Sequence, residues 1–213
     1  MKKNFLVFIL SAWLMAGCGG NGDEKELKQV SADVFDEQTR IELNDYFTQI
    51  LKAGISPADS NAFTDEALIG FGVNYLINTD PASIMNVDEY TSQLSKEKVD
   101  SAIFLFFGKK IQKPVSVYEI QYEGCYFTFP KSEGGEMRFA QTQSLKMNAD
   151  STFTAILINY IAGSGACVDI NADPASWPKD DAPENIGRVR ATLRKSIVKS
   201  VTRYVLLDYR PDM

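Results

Sequence analysis

The stretch Pro114-Val115-Ser116-Val117-Tyr118-Glu119-Ile120-Gln121-Tyr122-Glu123 is where the chain changes its hydrophobic period. Within it Ser116, Tyr118, Ile120 and Tyr122 alternate with Val117, Glu119, Gln121 and Glu123, the two-residue repeat of an extended strand. Upstream, apolar residues recur at intervals of three and four. Leu43, Tyr46, Phe47, Ile50 and Leu51 fall on one face of a helix predicted within residues 34–53 and stopped by Gly54. Thr64 is placed to cap a second helix, with Asp65 and Glu66 in its first turn. Its buried side is Leu68, Ile69, Phe71, Tyr75 and Leu76, and Asn78 to Pro81 ends it. A third helix starts near Ser95, turns Val99, Ala102, Ile103, Phe106 and Phe107 inward, and stops at Gly108.

Downstream of the change, Glu123-Gly124 turns the chain into a strand over Cys125 to Phe129. Ser132 to Gly135 turn it again into a long strand from Met137 to Met147. Asn148-Ala149-Asp150 leads into a strand over Thr152 to Ile161 that is apolar on both faces, as expected of a strand inside a sheet with cover on both sides. A loop from Ala162 to Asn185, rich in Asp, Pro and Gly, precedes two last strands, Arg188 to Ile197 and Val201 to Tyr209. Helices first and strands afterwards predict an α+β fold: N-terminal helices packed on a C-terminal antiparallel meander of about six strands.

The beginning of the chain carries an address. Lys2 and Lys3 precede an apolar run from Phe5 to Leu14, too short for a stable membrane span of roughly 20 residues, and small residues stand directly before Cys18. Leu14-Met15-Ala16-Gly17-Cys18 resembles the lipobox of bacterial lipoproteins, with Met15 where that family most often has Leu. The resemblance covers only this first segment. It implies that residues 1–17 are a cleaved signal peptide and that Cys18 carries the acyl chains. Several acyl chains make membrane attachment stable where a single chain does not. Gly19, rather than Asp, follows the cysteine, which in the family favours the outer membrane over the inner. Residues 18–33, mostly polar and glycine-rich at the start, read as a flexible tether, and residues 34–213 as one globular domain.

Composition bounds the chemistry. There are 28 Asp and Glu against 22 Lys and Arg, a formal charge of −6. Loss of residues 1–17 removes two lysines and no acid, giving −8. An acidic body disfavours nucleic acid as a partner. The chain contains no histidine, so a Ser-His-Asp triad, a Cys-His pair and a His-ligated zinc site are all absent. Neither a P-loop nor a dinucleotide-binding glycine pattern occurs, and no cofactor is expected.

The remaining candidates compete with structural roles. Ser95/Lys98, Ser176/Lys179 and Ser196/Lys199 match Ser-x-x-Lys without the accompanying motifs of penicillin-binding enzymes, and Ser95 reads better as a helix cap. Asp169-Ile170-Asn171-Ala172-Asp173 begins like a calcium loop, but Pro174 occupies the place that needs a glycine, so an Asx-and-proline loop is expected and no metal site. Glu119 and Glu123 share one face of the predicted strand about 13 Å apart, which is too far for a glycosidase pair. Arg188, Arg190 and Arg194 line one face of a strand as a basic stripe, either a partner-binding surface or an outward face neutralised by nearby acids. Tyr118, Tyr122, Tyr126, Tyr160 and Tyr204 read as core and core rim, with a sugar-stacking surface as the alternative. Cys125 and Cys167 either form a disulfide or remain two separate buried thiols.

The expectation is a membrane-anchored envelope lipoprotein of binding or assembly type, its partner another envelope protein or a glycan. A histidine-free carboxylate glycosidase and an inhibitor of an envelope hydrolase are the alternatives. A deep cleft with two carboxylates would favour the enzyme, a shallow apolar or arginine-lined surface the binder, and a protruding loop over 162–185 the inhibitor.

Overall fold

The computed structural model describes residues 35–57, 63–131, 136–163, 165–198 and 201–212. Residues 1–17, read as a signal peptide, Cys18, and residues 18–33, read as a tether, lie outside the described residues. Helices form at the three predicted places, the second and third with the predicted caps. Helix α1 (Glu37–Lys52) begins at Asp36, whose carboxylate accepts from the Thr39 N–H at 2.7 Å. Helix α2 (Asp65–Thr79) begins at Thr64, whose hydroxyl accepts from Ala67 N. Helix α3 (Lys96–Phe107) begins at Ser95 and ends at Gly108 in the left-handed conformation. The residues assigned to the inner face of α3 are all buried, as are Leu43, Phe47, Ile50 and Leu51 of α1.

The fold is α+β, but the strands form two four-stranded antiparallel sheets instead of one six-stranded meander. Between α2 and α3 the chain makes two short strands, β1 (Met85–Asn86) and β2 (Thr91–Ser95). Strand β2 pairs with β4 (Tyr126–Pro130), and β4 pairs with β3 (Gln121–Glu123), so the hairpin after the period change leaves the expected meander and joins a small sheet in the order β1-β2-β4-β3. Ser92 and Leu94 are the inward residues of β2. Two inward residues next to a helix cap give too short an alternation to mark a strand. The larger sheet is the meander β5 (Met137–Met147), β6 (Phe153–Ala162), β7 (Glu184–Val198) and β8 (Val201–Pro211).

Helix α1 lies against the larger sheet, its Phe47 ring stacked on Tyr209. Its polar side chains engage an edge that would otherwise show unpaired backbone. The Ala140 and Thr142 N–H groups of edge strand β5 donate to Thr48 Oγ1 (3.1 Å) and Asn44 Oδ1 (2.6 Å). On the other side of α1, the Tyr46 hydroxyl donates to Phe106 O of α3. Asn44 and Thr48 are buried polar residues on a core-facing helix, and these bonds are what satisfies them.

Strand β6 is interior to its sheet, as its two apolar faces predict. Ala155, Leu157 and Asn159 are buried on the helix side. Cover on the other face is confined to one end, where the loop after β6 folds back. Trp177 of that loop, 9 % exposed, stands edge-on to Phe139 and Tyr160 and donates Nε1–H to Asp169 O, giving the sheet a second, smaller core.

Candidate functional site

Helix α2 is apolar on more than one side, and its second side builds the site. Glu66, Ala67, Gly70, Phe71, Asn74 and Ile77, spaced by three and four, form one wall of a groove of about 740 Å³. Val117, Ile120, Phe129 and Pro130 line it from the other segment, and the exit of α1 at Ala53 to Ser56 completes the lining. Binding sites for small molecules typically span about 300–1,000 Å³. Local bonds hold both walls. Both carboxylate oxygens of Asp65 accept from the main chain of Gln112 (3.2 Å) and Lys113 (2.7 Å), which fixes the approach of residues 114–120 to α2. Asn74 Nδ2 donates to Ala53 O at 3.4 Å and ties the end of α1 to α2.

The expected strand over 116–123 is instead a tight turn followed by three strand residues. Val117 and Ile120 exchange two backbone hydrogen bonds of 2.8 Å around Tyr118-Glu119. Tyr118 has φ +49° and its side chain is 98 % exposed, while Val117 and Ile120 turn toward the groove. Positive φ at a non-glycine residue carries a steric cost of about 1–2 kcal/mol. Glu119 therefore sits in a turn and does not share a strand face with Glu123.

Two glycines of α2 differ in their reasons. A Cβ at Gly72 would lie 2.8 Å from Val99 Cγ1, so close packing of α3 requires that glycine. A Cβ at Gly70 would meet nothing within 4 Å and would point into open space at the groove. A glycine in a helix interior destabilises by roughly 0.5–1 kcal/mol relative to alanine, and here no protein neighbour accounts for it.

The other candidates are placed away from the groove, Tyr118 and Glu119 excepted. Arg188, Arg190 and Arg194 do share the outward face of β7, alternating with buried Val189, Ala191 and Leu193. Asp212 engages Arg188 (2.8 Å) and Arg190 (2.7 Å). Cys125 and Cys167 are free and both exposed, so they form neither a disulfide nor a pair of buried thiols. Cys125 follows Gly124 in the β3–β4 turn with φ +79°. Ser95 caps α3, Ser176 Oγ donates to Asp173 O, and Ser196 Oγ accepts from Arg203 Nε. Asp169 and Asp173 accept from Asn171 N and Ala175 N, the Asx turns expected of that loop, and no cluster of three metal-ligating side chains occurs among the described residues. Of the tyrosines, Tyr160 and Tyr204 are buried, Tyr122 packs on Phe127, and Tyr118 and Tyr126 are exposed.

Displaced acidities follow hydrogen bonding and burial. Asp36, Asp88 and Asp150 are held below the usual carboxylate range by hydrogen bonds from Thr39, from Thr91 and Tyr90, and from Thr152. That is the direction of a cap or turn carboxylate and the opposite of a general acid. Burial pushes the Tyr209 hydroxyl up to about 12 and raises Tyr46 further.

No family model matches the chain, and comparison with curated proteins and with solved structures finds no match either. Among the described residues, no helix is long and apolar enough to cross a membrane.

Proposed function

We propose that the chain is a bacterial envelope lipoprotein, anchored through acyl chains on Cys18 and favouring the outer membrane, whose folded body acts by binding. The observation that carries the binding reading is the apolar groove between α2 and the segment from Val117 to Pro130. Its walls supply hydrophobic surface and its two carboxylates stand exposed at the rim, an arrangement suited to holding an apolar ligand. The loop after β6 packs on the sheet through Trp177 in place of projecting, which speaks against a hydrolase inhibitor built on that loop. A glycosidase reading retains one favourable feature, since Glu66 and Glu119 line the same groove.

An uncharged fluorescent apolar probe should brighten on addition of the full-length chain and brighten less with Gly70→Leu, whose side chain would intrude on the groove. Hydrolysis of a glycan that disappears in both Glu66→Gln and Glu119→Gln would replace binding by catalysis. The anchor has its own measurement: labelled palmitate should be incorporated in a bacterial host and lost with Cys18→Ala, and incorporation that survives this substitution rules out the assignment.

A further inference from the structure

We infer, resting on the binding reading above, that the groove takes an apolar molecule bearing a cationic end, of which an alkyl chain on a quaternary ammonium is the simplest form. The charged residues among its described lining are Glu66 and Glu119, with no Lys or Arg, so the rim repels an anionic head group and attracts a positive one. Tyr118, adjacent to Glu119 and also lining the groove, holds its ring in solvent at positive φ. An aromatic face beside a carboxylate is a favourable setting for an ammonium group. Gly70 leaves the middle of the α2 wall without a side chain, giving an alkyl chain room to lie along the helix between Ala67 and Asn74. Together these features place apolar surface along the groove and negative charge with an aromatic ring at its margin.

The test titrates the full-length Cys18→Ala chain, so that no covalent acyl chain competes, with octyltrimethylammonium, octanol and octanoate below their micelle concentrations. Binding is followed by calorimetry and by amide shifts. Octyltrimethylammonium should bind roughly tenfold tighter than octanoate at low salt, with octanol between, and the spread should shrink as salt screens the rim. Glu66→Gln with Glu119→Gln should bring the three affinities together while octanol binding persists. Tyr118→Gly should weaken the ammonium ligand selectively and raise the melting temperature. Gly70→Leu should weaken all three; if that variant misfolds, ligand-induced shifts at Ile77, Ile120 and Phe129 in the parent chain decide the location instead. Octanoate binding as well as the ammonium compound, or a preference untouched by the double substitution, overturns the inference and leaves groove binding standing. Failure of all three ligands overturns both.

Discussion

Gly70 and Gly72 stand two residues apart in α2 and answer to different neighbours. Gly72→Ala would push a methyl to 2.8 Å from Val99 Cγ1 and 3.2 Å from Val99 O, and the α2–α3 contact should lose about 1–3 kcal/mol. Gly70→Ala meets no protein atom and should gain about 0.5–1 kcal/mol from reduced backbone freedom in the unfolded chain. Thermal unfolding of the two variants should therefore move in opposite directions, Gly70→Ala upward by roughly 1–4 °C. The same melts check the groove: a Gly70→Ala variant that loses stability would mean that the glycine has a structural reason. In the sequence both glycines look alike, because a helical period reports that a position is inward or outward and not which atom it faces. Tyr118 was hidden for a related reason. Its alternation with Val117 and Glu119 reads as strand, and only the pairing of Val117 with Ile120 reveals the turn.

At the scale of elements, α1 and the loop after β6 each cover part of the larger sheet. Asn44 accepts from Thr142 N and donates through Nδ2 to Asn171 Oδ1 at 2.9 Å, linking helix, sheet edge and loop. Asn44→Ala leaves a buried N–H without a partner and should destabilise by about 1–3 kcal/mol, measured by urea unfolding. Amide exchange should rise at Thr142 and around Asn171 in the same variant, and protection unchanged at both would remove the linking role. Trp177→Ala takes the main apolar anchor out of the loop, where large aromatic truncations cost about 3–5 kcal/mol. Exchange should accelerate over residues 165–183 and at Phe139 and Tyr160, while α3 keeps its protection. The element starts were legible in advance, since Thr64 and Ser95 bond their third following N–H as cap chemistry requires. The small sheet was not, because β2 and β4 are separated by a whole helix and nothing local in Thr91–Ser95 names its partner.

For the molecule as a whole, titration sets where stability changes. Tyr209 is buried and neutral when folded, with its hydroxyl raised to about 12 from an ordinary value near 10, and Tyr46 is raised in the same sense. A proton held more tightly by the folded state stabilises it fully below pH 10 and ceases to do so as pH climbs through 12. Unfolding midpoints in urea should therefore fall between about pH 10 and 12, by an amount worth about 2–3 kcal/mol from Tyr209 alone, and Tyr209→Phe should flatten part of that slope. On the acid side, the lowered carboxyls of Asp36, Asp88 and Asp150 contribute stability above the ordinary aspartate range that is lost as pH falls through it. With no histidine to titrate, stability should stay level from about pH 5 to 8, and a step inside that window would contradict this account.

By itself the sequence determined the three helices, the caps of α2 and α3, the inward faces, the lengths of β5 and β6, the acidic balance and the absence of imidazole chemistry. Each of these is a local or additive property: a cap needs a side chain and an N–H three residues away, and a buried face needs only its own period. Tertiary structure alone decided that the β3–β4 hairpin joins β2, that Asp212 occupies Arg188 and Arg190, and that α2 shows one of its sides to a groove. Those outcomes depend on contacts between residues 91–95 and 126–130, between Asp212 and the two arginines, and between residues 53–56, 66–77 and 117–130, each set brought together from separate parts of the chain. A hydrophobic pattern states that a side chain will leave water without stating what will cover it.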